Sequence, residues 1–227
     1  MGTWTLLSLL AAGAAVGTAD WPQWRGPARD GRAALPAVAR WPQALTRGWK
    51  ATVGLGHASP VVAGDRVFVF AREGEDEVAS AFDLATGRRL WRQPYAAPYT
   101  VNQAAASHGP GPKATPVASG GRLYTFGISG IASCFDAGTG ALVWRRTFPE
   151  HHAGSPDYGV AGSPIVDGGR VVLHAGGPGD GSLQSLDAAT GATRWSWKGE
   201  GPGYASPIVA ELGGVRQIVV ETQGAIV

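Results

Sequence analysis

The sequence predicts an all-β fold, a propeller of four-stranded antiparallel blades, with three full blades and part of a fourth within 227 residues. Three observations predict it. The phrase Asp-x-x-Thr-Gly-x-x-x-Trp occurs three times, as Asp83…Gly87…Trp91, Asp136…Gly140…Trp144 and Asp187…Gly191…Trp195. A Ser/Thr-Pro phrase precedes each copy, at Ser59-Pro60, Thr115-Pro116 and Ser163-Pro164, and a fourth stands alone at Ser206-Pro207. The composition is rich in turn residues, with 35 Gly and 16 Pro against only 16% charged residues. Repetition at a period of about 40–50 residues is the mark of a repeat architecture.

The turn phrase explains the element order. Asp hydrogen-bonds its own backbone two residues on, and Gly supplies positive φ, so the phrase closes a tight turn between antiparallel strands. The Trp at its end needs a surface to bury it, and one four-stranded unit cannot cover both its faces. Each indole is therefore expected to pack on the adjacent unit, as blades stack around an axis. Ordinary hairpins in a sandwich are the competing reading, but they do not explain one phrase repeated at this period.

In chain order, residues 1–19 carry no charged side chain, run apolar from Leu6 to Val16, and end in the small residues Gly17-Thr18-Ala19. This reads as a signal peptide, although no Lys or Arg precedes the apolar run. An uncleaved anchor is the alternative, but the run is shorter than the roughly 20 residues needed to span a bilayer. The mature chain is expected to be exported, periplasmic or extracellular, with no transmembrane helix. Residues 20–48 form an irregular lead-in that packs its Trp residues on the propeller, and 49–227 form the partial propeller. Trp49 opens a strand-like stretch, 49–53, where the Trp of a preceding repeat would stand. Blade one spans 50–91; its run from Arg72 to Glu77 is expected as an exposed polar hairpin tip, with Ca²⁺ binding the less favoured reading of the acidic cluster. Blade two spans 92–144 and carries a long approach loop ending at Lys113. Cys134 lies in a strand as a small buried side chain. Blade three spans 145–195. Its adjacent His151 and His152 point opposite ways on an extended chain, a weak metal signal. Its loop 176–181 lacks the Gly-Lys-Ser/Thr ending of a phosphate loop. The incomplete fourth blade, 196–227, has strands at 206–210 and 215–221 and a third beginning at Ala225, but no turn phrase. Because propellers close with about 4–8 blades, the expectation is the front part of a longer ring. A natural half-ring that dimerises is the alternative, and self-association of the chain is expected from an uncovered blade face.

The order Ser-Pro-Val-Val, strand, Asp-x-x-Thr-Gly, Trp resembles the pyrroloquinoline-quinone-like (PQQ-like) repeats over residues 49–227. These occur in quinoprotein alcohol dehydrogenases and in the non-enzymatic outer-membrane assembly lipoprotein BamB. The stretch from Trp21 to Pro27 is also similar to the start of secreted bacterial proteins of this kind. The dehydrogenase branch would imply PQQ, a Ca²⁺ held by Glu, Asn and Asp, an Asp base and a vicinal disulfide. One Cys cannot form that disulfide, and Asn102 is the only Asn, so no catalytic residue is assigned and neither cofactor nor metal is expected. The propeller resemblance places the loops before the Ser/Thr-Pro phrases at one mouth of the axis, and with them His57, His108, Lys113, Tyr158 and Tyr204. A net charge of +2 gives no pull toward nucleic acid. The expected role is a binding or scaffolding platform in the cell envelope for a protein or peptide partner; the alternative is the N-terminal part of a PQQ-dependent alcohol dehydrogenase.

Overall fold

The computed structural model describes residues 20–33, 40, 42–148, 158–177 and 179–227. The expected signal peptide and the His151-His152 pair lie outside the described residues. Three sheets of four antiparallel strands follow one another, each a meander in sequence order. The first pairs β1 (Val61–Ala63), β2 (Arg66–Glu73), β3 (Asp76–Asp83) and β4 (Arg89–Ala96). The second pairs β5 (Val117–Ser119), β6 (Arg122–Phe126), β7 (Ile131–Asp136) and β8 (Leu142–Thr147). The third pairs β9 (Ile165–Asp167), β10 (Arg170–Gly177), β11 (Asp180–Asp187) and β12 (Thr193–Gly199), and a hairpin of β13 (Ile208–Leu212) and β14 (Val215–Val219) opens the fourth. The short first strands β1, β5 and β9 lie side by side, as the inner strands of neighbouring blades do. Among the described residues no helix is long and apolar enough to cross a membrane.

The repeated phrase closes each blade by local chemistry. Asp136 Oδ1 accepts the N–H groups of Gly138 at 3.1 Å and Thr139 at 3.0 Å, and the Thr139 hydroxyl at 3.0 Å. The Gly140 N–H returns to the Asp136 carbonyl at 2.8 Å with φ at 77°. Asp83 and Asp187 hold Thr86 and Thr190 in the same way. These donors hold all three carboxyls below the ordinary Asp value, Asp187 at about 2 with its Arg194 partner contributing first. A register shift recurs opposite the strand that follows, after Ala81, Cys134 and Ser185. Each shift bends the outer strand at the same place.

The core lies between blades. Phe68, Phe70 and Trp91 interlock with Leu123, Ile131 and Phe135 of the next blade. Tyr124, Phe126 and Trp144 meet Val171, Leu173 and Leu186, and a smaller cluster joins Ile165, Val172 and Leu183 to Val220. Indoles form the links. Trp49 Nε1–H donates to the Leu84 carbonyl at 2.8 Å, Trp91 to Ala137 at 3.0 Å and Trp144 to Ala188 at 2.9 Å, each carbonyl following the Asp of the next turn. The same rings lie flat on Gly87, Gly140 and Gly191, where an added Cβ would come within 2.5, 2.6 and 2.7 Å of ring atoms. That contact is a second reason for Gly, besides its φ. Trp195 differs: it is half-buried against the smaller cluster, and no fourth turn receives it among the described residues.

Three expectations need correction. Residues 49–53 form no ladder; Trp49 acts through its ring, and an isolated bridge pairs Leu55 with Arg72 just beyond. The polar tip is shorter than expected, because β2 and β3 pair to Glu73↔Asp76 and leave only Gly74-Glu75 as the turn. Arg72 and Glu77 are consequently buried, at 2% and 0% exposure. In blade four the strands start two residues later than expected for β13 and end two earlier for β14. Cys134 is a free, buried thiol in β7, pushed up to about 11 by burial.

Candidate functional site

A cup of about 390 Å³ opens where the inner strands begin. Its floor is built by the Ser/Thr-Pro phrases. The Ser59 N–H donates to Thr115 Oγ1 at 3.1 Å, the Thr115 N–H to Ser163 Oγ at 2.9 Å, and the Ser163 N–H to Ser206 Oγ at 2.9 Å. Each hydroxyl thus satisfies a backbone donor of the preceding blade, so the phrase is a blade-to-blade ladder as well as a strand start. Pro at the next position lacks an N–H and costs the ladder no donor.

The lead-in forms the cup's rim. Trp21 makes an antiparallel bridge with Val62 on the free edge of β1, and the Pro22 carbonyl accepts the Ala118 N–H of β5 at 2.8 Å. Arg29 then reaches blade three, donating to the carbonyls of Pro164 at 3.1 Å and Ser163 at 3.3 Å. One irregular segment therefore crosses three blades. Trp24 stacks under two guanidinium groups, with Arg25 and Arg29 at 5.5 and 5.4 Å from its ring.

The five residues expected at the mouth are distributed as follows. His57, Lys113 and Tyr204 line the cup directly. His108 ends a 3-10 turn (Gln103–His108), and its ring lies 5.8 Å from that of His57. The His108 carbonyl accepts from His57 Nε2 at 2.9 Å, which fixes the proton on Nε2. Tyr158 bridges His108 and Tyr204 by edge contacts at 5.3 and 5.5 Å. Four of the five form one aromatic arc from blade one to blade four, with Lys113 beside it.

Sequence reasoning missed Arg25 and Arg29, whose positions depend on where the lead-in docks. Both have φ near 60°, as does Tyr204 at 63°. These are the three non-glycine residues with positive φ among the described residues, and all three line the cup. Such conformations cost of order 1–3 kcal/mol each and cluster at sites of function. Among the described residues the lining carries three cations and no carboxylate. Burial lowers Arg29 to about 10 and moves Lys113 down as well, yet Arg29 stays charged at neutral pH. Ca²⁺ takes mostly carboxylate and carbonyl oxygens. The cup supplies no carboxylate, and no group of three or more His, Cys, Asp or Glu side chains gathers among the described residues. The described lining therefore offers no carboxylate ligand for Ca²⁺.

A second polar cluster is sealed between blades one and two. Glu77 accepts from Tyr95 Oη at 2.8 Å and from the Ile128 N–H at 2.7 Å. Arg145 lies 3.8 Å over the Tyr95 ring, and Arg72 donates to the carbonyls of Pro110, Glu75 and Ala97. Desolvation raises the Glu77 carboxyl, against those bonds and the two arginines. Gly127 leaves room for it: a Cβ there would stand 1.9 Å from Glu77 Oε2. Arg72, Glu77 and Tyr95 are buried and Arg145 partly so, and the cluster reads as structural.

Comparison with known proteins agrees with the fold. The family described as outer membrane protein assembly factor BamB matches residues 38–107 and 74–227. A quinoprotein ethanol dehydrogenase of Pseudomonas putida is 28% identical over 171 residues, 66% of this chain and 25% of the dehydrogenase. The assembly factor BamB of Kangiella koreensis is 31% identical over 120 residues, 53% of this chain and 27% of that protein. Among solved structures, the quinohemoprotein alcohol dehydrogenase from Comamonas testosteroni superposes with a TM-score of 0.54 at 27% identity, covering 81% of this chain and 28% of that one. The chain thus spans about a quarter of the length of these relatives.

Proposed function

Because the chain belongs to the BamB family of PQQ-like propeller repeats, we propose that it serves as a binding platform in the cell envelope, engaging a protein or peptide at the cup. The observation that carries this reading is the convergence of Arg25, Arg29 and Tyr204, all held in left-handed backbone, on one rim. A platform needs a preformed surface, and the ladder of hydroxyls beneath the rim provides a rigid base. The aromatic arc of His57, His108, Tyr158 and Tyr204 adds flat, partly wet contact area of the kind that peptide-binding surfaces use. BamB relatives are assembly factors by name, which supports a partner-holding role at the outer membrane.

The test is site-specific cross-linking in cells, with a photo-reactive phenylalanine at Tyr204 of the full-length protein and a control at Arg88 on the outer turn. A discrete cross-linked polypeptide from Tyr204 alone supports the platform. Cross-linking from neither position rejects it. A second reading, a quinone-dependent alcohol dehydrogenase, is supported by the likeness to the P. putida and C. testosteroni enzymes. Dye reduction by the full-length protein with added PQQ, Ca²⁺ and simple alcohols decides for that reading if turnover exceeds background.

A further inference from the structure

The cup holds positive charge that no side chain of its described lining balances. Lys113 Nζ is buried and makes no hydrogen bond among the described residues. The bonds of Arg29 run to neutral oxygens, the carbonyls of Pro164 and Ser163 and the side-chain oxygen of Gln23. Arg25 donates to the Asp30 carbonyl. A buried cation without a partner is unfavourable, and its environment normally supplies an anion or lowers its pKa. Here both responses have room: burial already lowers Lys113, and the cup is wide enough for a carboxylate. Coulombic attraction in a partly desolvated cup exceeds that on an open surface, because the effective dielectric is lower.

We propose that the cup is a carboxylate-binding site, with the Lys113 ammonium as its anchor, and that the platform's partner presents an acidic side chain or a free C-terminus there. This rests on the platform reading of the same cup. The ammonium, occluded in the free protein, turns toward the cup to donate to the carboxylate, Arg25 and Arg29 add charge from the rim, and Tyr204 packs on the residue that carries the acid. Charge-assisted bonds of this kind exceed neutral ones about twofold in strength. Free of ligand, the protein carries an energetic cost at Lys113 that binding removes.

The experiment uses calorimetric titration of the full-length protein with three N-acetylated tetrapeptides. The first is Gly-Glu-Glu-Gly amide, the second Gly-Gln-Gln-Gly amide, and the third the Gln peptide with a free C-terminus. The expected result is binding of the first or third and not of the second, with the two arms separating side-chain from terminal carboxylate. Lys113→Met should weaken that binding about tenfold to a hundredfold, and Lys113→Arg should retain most of it. Lys113→Met should also raise the Tm of the unliganded protein, since it removes an unpaired buried charge. Equal binding of the amidated Gln peptide overturns the carboxylate assignment and leaves the platform intact. Absence of binding by every peptide, or a lowered Tm in Lys113→Met with unchanged affinity, overturns the assignment too. The platform itself is then decided by the cross-linking result alone.

Discussion

Replacing Trp144 and Trp195 separately by Ala measures how much the following blade's turn contributes. Trp144 is 7% exposed, lies 6.1 Å from the Tyr124 ring, and covers the Gly191 turn while donating to Ala188. Truncating such a core aromatic costs about 3–5 kcal/mol. Trp195 has the same offset from its turn but no following turn to receive it among the described residues, and it remains half-buried. Losing its remaining apolar contact costs about 1–2 kcal/mol. With a urea m-value on the order of 2 kcal/mol/M, Trp144→Ala should lower the unfolding midpoint by about 2 M and Trp195→Ala by less than about 1 M. Trp144→Phe should cost only about 1 kcal/mol for the lost donor, since the Ala188 carbonyl keeps the Tyr124 hydroxyl at 3.3 Å. Equilibrium urea melts followed by tryptophan fluorescence and by far-UV circular dichroism provide the assay. Measured on the 227-residue chain, equal midpoint shifts for the two Ala variants would refute the claim that indoles stabilise by crossing to the next blade.

Ser163→Ala should destabilise by about 1–3 kcal/mol, because it leaves the buried Thr115 N–H without its acceptor; urea melts that match wild type would show that the ladder carries no load. Asp187 is held at about 2, below its ordinary value of 3.8. Its stabilising effect is therefore complete above the unfolded value and fades as pH falls through the folded one. Asp187→Asn should flatten the loss of Tm between about pH 4 and pH 2, read by scanning calorimetry across that range. Glu77 is displaced the other way: its folded value is raised above 4.5, so wild-type stability declines as pH climbs from the unfolded value toward the folded one. Glu77→Gln keeps an oxygen for the Ile128 N–H and should gain on wild type across that window, a gap that pH-dependent melts would reveal or deny.

Much of the fold was legible because its linkers are local. Asp-x-x-Thr-Gly specifies its own hydrogen bonds within four residues, so it signals a turn wherever it occurs. The Trp offset needed only the period to be interpretable, and the ring of Trp49 follows that offset although its backbone forms no strand. The buried pair Arg72 and Glu77 was not legible. A run of charges reads as a solvated turn. What overrides that reading comes from the Tyr95 hydroxyl, from Arg145 and from the Ile128 N–H, which is 51 positions away along the chain. The cup was half legible. Its His, Lys and Tyr members sit at fixed places before the Ser/Thr-Pro phrases, whereas Arg25 and Arg29 arrive on a segment with no periodicity, docked through Trp21 and Pro22 by backbone bonds that any residue could offer.

The lead-in's reach has a consequence for the order of assembly. Blade stacking alone would let the row form module by module, each leaning on its neighbour. The segment carrying Trp21, Pro22 and Arg29 instead fastens to the edges of three modules, and its last grip, Arg29 on Pro164, spans 135 positions of chain. Closing so long a loop is slow compared with local pairing. During synthesis this strap must wait, undocked, until the third module exists, and the basic rim exists only from that moment.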